Sequence, residues 1–318
     1  MRVAMFIASQ YGLECYEAVK KLSEIEIVGI LTTPLQFILR YHKGQSKEMN
    51  NPIYQNVICE GQEKNVPIYI TDQVNDEKTI HVVQAWKPDL IIVSGWYHII
   101  KEKLLSLPEK GIIGLHASLL PRYRGGAPLV WQLIKGEKKS GITLFYIERG
   151  TDTGDIIGQK EVQIEENDDI RTLYAKVGNE GIELLEMYVP QIAKGCAPRK
   201  KQAAVDGEVY PQRREEDGRI DWLMKPKDIY NFVRAQTKPY PGAFSTYEGS
   251  KIFIWKCKIV TVKNYDVPAG TIVEIENGGK ENYPIVYTKE KGYGIAVIDY
   301  SMPSDKKNTR IRIGGKLV

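Results

Sequence analysis

The residue types best suited to proton transfer in this sequence are a histidine and an aspartate. His116 ends an apolar run, Ile112 to Leu115, and opens a loop rich in proline, glycine and arginine. An imidazole with a pKa of about 6.5 can accept a proton near neutral pH. Asp152, between Thr151 and Thr153, could orient that ring and stabilise its charged form. The pattern predicts an acid–base pair; a hydrogen-bonded core histidine and a turn aspartate remain as structural alternatives.

Charged and aromatic residues close to this pair offer binding chemistry. Arg122 and Arg124 flank a tyrosine and precede two glycines. Two such arginines beside a base could hold an anionic group, and solvated loop charges are the alternative. Trp96 and Tyr97 follow the apolar run Leu90 to Val93. They could stack on a flat ligand, with packing as an equally good alternative.

Short apolar runs alternate with helical patterns over the first two thirds of the chain. This alternation predicts an α/β fold with a doubly wound, mostly parallel, Rossmann-like sheet over residues 1–197. The first turn lacks the GxGxxG pattern of dinucleotide sites. A polar insertion from Thr32 to Asn51, which includes Arg40, His42 and Lys43, predicts a mobile surface loop.

The last third of the chain has a different period. Residues 198–218 are polar and rich in breakers, which predicts a linker. Residues 219–318 begin with a short helix and then show the alternation of β-strands, which predicts a small β-barrel or sandwich. The strands are expected at Ala243–Tyr247, Ile252–Ile259, Thr271–Ile275, Ile285–Thr288, Gly294–Asp299 and Thr309–Ile313.

Composition restricts the class of protein. The 318 residues suffice for two domains, and the net charge of +4, from 44 basic and 40 acidic residues, is only a weak indication of an anionic partner. The four cysteines are widely spaced, so neither a zinc site nor a disulfide framework is expected, and a cytoplasmic location fits best. The apolar amino-terminal run is too short to span a membrane. We therefore predict no metal and no membrane partner; the oligomeric state is left open.

Several of these segments together resemble a known family. The segment from His116 to Pro128 (HASLLPRYRGGAP), Trp131 and the DTGD run that begins at Asp152 closely resemble the 10-formyltetrahydrofolate-dependent formyltransferases. The resemblance continues in DGRIDW and PYPGAF of the carboxy-terminal third. It implies the formyltransferase fold, 10-formyltetrahydrofolate as formyl donor, and a primary amine as acceptor.

The resemblance also implies residue roles. Family members use an Asn-x-His…Asp set, in which the histidine corresponds to His116, the aspartate to Asp152 and the asparagine to Gly114. In the family the amine attacks the formyl carbon, the histidine handles the amine proton, the aspartate supports the histidine, and the asparagine donates to the developing oxyanion. Glycine has no such donor, and losing one oxyanion donor costs about a hundred- to a thousandfold in rate.

Three explanations of Gly114 are open: a slow enzyme in which another group substitutes, a protein altered at this position, or a scaffold that binds folate and transfers little. The first two are favoured, because His116 and Asp152 are both present. On the same resemblance we expect the other contacts as follows: cofactor contacts from Trp96, Tyr97, Thr151 and Gly154, and substrate contacts from Arg122, Arg124 and Tyr11.

The acceptor separates two branches of the family. The tRNA enzymes usually have tryptophan at the position of Tyr123 and lack one at Trp131, which favours a nucleotide-linked amino sugar. The alternative is methionyl-tRNA, whose phosphates could contact basic residues of the predicted linker, although the acidic run Glu215 to Asp217 weakens that case. A folate- or nucleotide-binding protein with weak catalysis is the alternative of another class. The basic linker residues are Lys200, Lys201, Arg213 and Arg214.

Overall fold

The computed structural model of the protein describes residues 1–40, 46–203, 209–277, 282–302 and 311–318. The chain forms two compact units that alternate along the sequence. The first unit holds residues 1–124, 141–162 and 177–208, and the second holds 125–140, 163–176 and 209–318. The predicted division into 1–197, 198–218 and 219–318 stays a prediction.

A seven-stranded sheet carries the candidate catalytic residues. Its order is β5-β2-β1-β6-β7-β8-β9; the five strands from β5 to β7 are parallel, and β8 is antiparallel to β7. This confirms the predicted mostly parallel α/β fold. The strands are β1 Arg2–Ile7, β2 Glu26–Thr32, β5 Ile68–Ile70, β6 Leu90–Ser94, β7 Ile112–His116, β8 Lys139–Tyr146 and β9 Ile156–Gln163.

Buried apolar runs explain why the central strands form. All five residues of β6 and five of the six in β1 are buried, as expected when both faces of a parallel sheet are covered by helices. Side-chain caps start two of these helices: Ser9 accepts from the amide of Gly12, and Asp76 from that of Thr79. The helices are α1 Gln10–Val19, α2 Tyr54–Lys64, α3 Glu77–Trp86, α4 Glu102–Leu105, α5 Pro128–Ile134 and α6 Ile170–Ala193.

One prediction for this part of the chain is wrong. The insertion predicted as a mobile loop contains a hairpin, β3 Gln36–Arg40 paired antiparallel with β4 Ser46–Asn50; His42 and Lys43 lie outside the described residues. Its strands escape detection because β4 is polar, so no apolar alternation marks it. Pro190 lies within α6, which continues to Ala193.

The second unit contains an antiparallel sheet of order β10-β11-β14-β13-β12, preceded by α7 Pro226–Gln236. The strands are β10 Ala243–Tyr247, β11 Ser250–Thr261, β12 Ile272–Asn277, β13 Asn282–Tyr287 and β14 Tyr293–Ser301. Leu317 bridges to Tyr247 at one edge of this sheet, and Lys316 bridges to Thr271 at the start of the other. The end of the chain thus closes the sheet into a barrel-like form, as predicted.

The strand predicted at Thr309–Ile313 is misplaced. Residues 311–313 are not in a strand, and 309–310 lie outside the described residues. The pairing instead uses residues 316–317, because the backbone of Gly315 accepts from Ile272 and that of Gly270 accepts from Leu317. Within the described ranges, no helix is both long enough and apolar enough to cross a membrane.

Candidate active site

His116 has a polar neighbour at each ring nitrogen. Its Nε2 lies 2.8 Å from the carbonyl oxygen of Tyr123, and its Nδ1 lies 3.5 Å from Oδ2 of Asp152. A carbonyl only accepts hydrogen bonds, so Nε2 carries the proton of the neutral ring. Nδ1 is therefore the nitrogen that can take up a further proton, and it faces the carboxylate. The structure brings together the two residues that the sequence predicted as a pair.

The route that brings Asp152 to this ring is not one that the sequence indicates. Antiparallel pairing places Tyr146, the last residue of β8, beside Ile113, three residues before His116. Residues 147–155 must therefore return along the sheet for Asp152 to reach the ring. Asp152 itself has a left-handed backbone, with φ of +52°. Non-glycine residues adopt this conformation rarely, so neighbouring contacts must hold it.

A buried hydroxyl supports the loop after His116. Thr143, on β8 opposite His116, donates through Oγ1 to the carbonyl of Ser118 at 2.6 Å and accepts from the amide of Leu120 at 3.1 Å. Gln159 donates to the same hydroxyl at 2.9 Å. This loop leads to Tyr123, whose φ is +58° and whose carbonyl receives the ring of His116. Thr143 is therefore part of what orients the histidine.

Gly114 lies in the middle of β7, between Val93 of β6 and Phe145 of β8. Its backbone is not left-handed, so the conformation alone would accept a side chain. A Cβ atom there would lie 2.9 Å from Cδ1 of Ile147 and 3.4 Å from the carbonyl oxygen of Val93. The end of the Ile147 side chain thus occupies the space into which the family's asparagine side chain would extend.

The turn after β6 carries an aromatic cluster. Gly95 has φ of +55°, and a Cβ there would lie 1.7 Å from Oγ of Ser9, so the turn requires glycine. The rings of Trp96 and His98 meet edge to face at 5.5 Å, and Phe37 of β3 lies 5.5 Å from Tyr97. Because β6 and β7 are parallel neighbours, this turn lies at the same edge of the sheet as His116.

Two polar atoms of this cluster lack partners. Trp96 Nε1 and His98 Nε2 are buried, and neither has a hydrogen-bond partner among the described residues. Burial lowers the pKa of His98 and outweighs the opposite effect of Asp72, so the ring is held neutral. Buried polar atoms without partners are costly, and a flat ligand with polar edges would satisfy them. These residues fit a folate; a cofactor contact of Trp96, Tyr97 or His98 stays a prediction.

Other predicted contact residues have structural partners in this structure. Arg124 donates to Oε1 of Gln202, from Nη2 at 2.6 Å and from Nε at 3.2 Å. The guanidinium of Arg122 lies over the ring of Tyr123 at 5.5 Å. The Tyr11 hydroxyl donates to the carbonyl of Gly178 in α6 at 3.3 Å, and burial raises the pKa of this tyrosine. Their predicted substrate contacts stay predictions.

The loop that carries Asp152 contains two residues predicted to contact the cofactor, Thr151 and Gly154. Thr151 is exposed, so a ligand can reach it. Gly154 is buried, and a Cβ there would lie 1.8 Å from the carbonyl oxygen of Tyr146. Gly154 therefore allows a close approach of two backbone segments; its predicted cofactor contact, like that of Thr151, stays a prediction.

Comparison with known proteins places the chain in a family. Residues 1–189 match the model of the formyl transferase family, and residues 213–292 match that of its C-terminal domain. A methionyl-tRNA formyltransferase of Clostridioides difficile (strain 630) is 34% identical over 255 residues, which cover 80% of this chain and 79% of that protein. One from Bacillus velezensis is 35% identical over 254 residues, covering 80% and 77%.

A solved structure shares the fold. The sugar 3N-formyl transferase WlaRD, solved with dTDP and 5-N-formyl-THF, superposes with a TM-score of 0.61 at 18% identity, covering 96% of this chain and 98% of that one. At this identity the likeness concerns the fold alone. The two family models together cover most of the chain, and the His116–Asp152 pair lies in the part matched by the first. The chain therefore belongs to the formyl transferase family and is a formyltransferase.

Proposed function

We propose that the protein transfers a formyl group from 10-formyltetrahydrofolate to the amino group of methionyl-tRNA, with His116 as the base and Asp152 as its support. The observation that carries the chemistry is the placement of the His116 ring between the Tyr123 carbonyl and the Asp152 carboxylate. Only Nδ1 has a free lone pair, and it faces the group that would stabilise its protonated form.

The residues of this chain suffice for the proton steps. The folate, when bound, supplies the formyl carbon that the amine attacks. The amine loses a proton as its nitrogen becomes an amide, and His116 takes that proton at Nδ1. The Asp152 carboxylate, 3.5 Å away, stabilises the resulting imidazolium. His116 can then return the proton to the leaving nitrogen, so the pair ends in its starting state.

The choice of acceptor rests on the relatives named above. Both are methionyl-tRNA formyltransferases, and both align over about four fifths of this chain. The two residues that favoured a sugar acceptor have structural partners. The Trp131 indole donates to the carbonyl of Pro211 at 2.9 Å, and the Tyr123 side chain is buried. These partners give both residues a structural role without a sugar, so the two residues weigh less in the choice of acceptor than the relatives do.

A nucleotide-linked amino sugar is the second candidate. It rests on the sequence resemblance around Tyr123 and Trp131. The basic linker residues support the tRNA acceptor instead, and one of them, Arg213, is partly used by the protein itself. The Arg213 guanidinium lies over the Trp131 ring at 4.8 Å and donates to Oε1 of Gln236 at 2.8 Å. For either acceptor, we also propose a cytoplasmic location, which was predicted from the four cysteines.

The test is an acceptor screen with the purified protein and 10-formyltetrahydrofolate. Methionyl initiator tRNA and a panel of dTDP- and UDP-linked amino sugars are offered separately, and formylated product is measured by mass spectrometry. We expect formyl-methionyl-tRNA, loss of product in His116→Ala, and no loss in His81→Ala, a control at an exposed histidine of α3. Product only with a sugar nucleotide would reject the tRNA assignment in favour of the second candidate, and product with none would reject both.

A further inference from the structure

We propose that Gln202 is a positioning residue of the formyl-transfer site, whose side-chain amide fixes the two loops that hold the His116 ring. The role in catalysis rests on the proposed function; the positioning itself does not. Gln202 lies in the segment that the sequence indicates as a linker, where nothing in the local pattern marks it.

The amide of Gln202 is fully used. Its Nε2 donates to the carbonyl of Asp152 at 2.8 Å and to that of Gly154 at 2.7 Å. Its Oε1 accepts both hydrogen bonds from Arg124. One side chain therefore joins the loop after β7 to the loop after β8, within the first unit.

The segment around Gln202 is itself anchored to the start of β9. Arg199 donates to Asp155 through Nε at 2.9 Å, and its guanidinium lies over the Tyr146 ring at 4.2 Å. The backbones of Lys200 and Ile156 exchange hydrogen bonds of 2.7 and 2.9 Å. These contacts fix residues 199–202 beside the loop that carries Asp152, so Gln202 acts from a fixed position.

The backbone conformations show why such a clamp is needed. Both partners of the His116 ring come from residues with left-handed backbones, Tyr123 and Asp152. Residues in that conformation persist only where their surroundings hold them. Gln202 bonds directly to the carbonyl of Asp152, and through Arg124 it holds the residue that follows Tyr123. Without it, we expect both ring partners to shift.

Two substitutions distinguish the hydrogen bonds of Gln202 Nε2 from those of Gln202 Oε1. Gln202→Ala removes every contact. Gln202→Glu keeps an acceptor for Arg124 but turns a carboxylate oxygen toward the carbonyls of Asp152 and Gly154. Gln62→Ala, a glutamine at an exposed position of α2, is the matched control. Thermal unfolding of each protein tests whether it folds, and if Gln202→Ala does not, Gln202→Glu carries the comparison.

Two measurements decide the proposal. In formyl transfer, both Gln202 variants are expected to lose about a hundredfold in kcat, as for an ångström-scale misplacement, with KM for donor and acceptor changed less than twofold. In ¹⁵N NMR of the ring nitrogens at pH 8, wild type and Gln62→Ala should show the Nε2–H tautomer of His116, and the Gln202 variants a mixture of tautomers. The chain has four histidines, so the signals can be assigned by substitution.

The outcomes are distinguishable. Unchanged kcat together with unchanged His116 signals in folded Gln202 variants would overturn the positioning role. The NMR comparison needs no substrate; if the wild-type protein transferred no formyl group to any acceptor, the proposed function would fail while the tautomer comparison still decided on Gln202. A raised KM with normal kcat would also reject the proposal, because Gln202 would then act in binding.

Discussion

At the scale of single residues, Gly114 and Ile147 complement each other. The missing side chain at position 114 leaves a space on β7, and the end of Ile147 fills it, with Cδ1 only 2.9 Å from where a Cβ would stand. Ile147 packs against the apolar core on both of its sides. The absence of the family's asparagine is therefore tied to a second residue, and a side chain at position 114 would displace the end of Ile147.

The first prediction follows from this pair. Gly114→Asn alone should raise kcat little, because the new side chain meets Ile147 and overpacking costs about 1–3 kcal/mol. Adding Ile147→Val removes Cδ1, the closest atom, at about 0.5–1.5 kcal/mol. The double variant should then exceed wild type in kcat by about tenfold or more, since one oxyanion donor is worth about a hundred- to a thousandfold.

Steady-state kinetics and thermal unfolding of both single variants and the double variant check this prediction. Ile147→Val alone is the control, and its kcat should stay close to that of wild type. A folded double variant with no gain would mean that another group already donates to the oxyanion.

Local sequence signals located only part of the site. His116 and Asp152 were predicted as a pair because their residue types and their neighbours in the sequence indicate acid–base chemistry. Gln202 and Ile147 were not, since a glutamine in a polar segment and an isoleucine after a strand have no distinguishing pattern. Their importance comes from contacts between segments far apart in the chain, 50 residues in the case of Gln202 and Asp152.

At the scale of elements, the β7–β8 pair positions the histidine through Thr143. This residue is fully buried, and its hydroxyl bonds two backbone groups of the loop and the side chain of Gln159 on β9. Replacing the hydroxyl by a methyl therefore leaves buried polar atoms of the loop without this partner. We predict that Thr143→Val lowers the free energy of unfolding by about 2 kcal/mol or more. It should also lower kcat, because the loop that leads to Tyr123 loses its support.

Urea unfolding and formyl-transfer kinetics test the Thr143 prediction, with Thr143→Ser as the conservative control. Serine keeps the hydroxyl, so most of the stability and activity should return. Equal losses in the two variants would indicate that packing of the methyl group, rather than the hydrogen bonds, is what matters.

The start of α6 is held by a buried carboxylate. Asp168 accepts from Lys176 Nζ at 2.6 Å, from the amide of Glu165 at 2.7 Å and from Thr172 Oγ1 at 2.9 Å. Burial alone would raise the pKa of Asp168, but these three donors outweigh it and hold the pKa below its ordinary value. The carboxylate form therefore stabilises the second unit.

We predict that Asp168→Asn lowers the free energy of unfolding at pH 7 by about 2 kcal/mol, the range for hydrogen bonds to a charged group. Because the folded pKa lies below the unfolded value of about 3.9, the contribution is complete above pH 4 and is lost as the pH falls through the folded pKa. Urea unfolding should show a smaller difference in the free energy of unfolding between wild type and Asp168→Asn at pH 3 than at pH 7. Asp266→Asn, at an exposed position, is the control; a difference independent of pH would contradict the electrostatic origin.

The β3–β4 hairpin shows where element prediction fails. Strands are recognised by alternation of apolar and polar residues, and Ser46 to Asn50 has no such alternation because most of the strand is exposed. The buried strands of both sheets were located correctly, since burial imposes a pattern on their residues. Exposed strands form through backbone hydrogen bonds, and these impose no pattern of apolar and polar side chains on the sequence.

At the scale of the whole molecule, the two units do not correspond to two consecutive stretches of chain. Residues 125–140 and 163–176 are separated by part of the first unit, yet they belong to the second. Ile134 of α5 packs against the core of the second unit, and Arg234 of α7 donates to the carbonyls of Glu165 and Asp168. The predicted domain boundary at residues 198–218 stays a prediction; the contacts described here group residues 125–140 and 163–176 with the later part of the chain.

The last prediction follows from this interleaving. A chain truncated after residue 208 keeps Gln202 and the whole first unit but removes the residues that cover α5 and the start of α6. Ile134 of α5 packs against the core formed by the removed residues, and exposing a side chain of this size costs up to about 3 kcal/mol. We expect the fragment to bind a hydrophobic dye, to unfold without a single cooperative transition, and to be cleaved by protease first within residues 125–140. A fragment with the cooperativity and protease resistance of the full chain would show that these segments fold without residues 209–318, and that the first two thirds of the sequence form an independent domain after all.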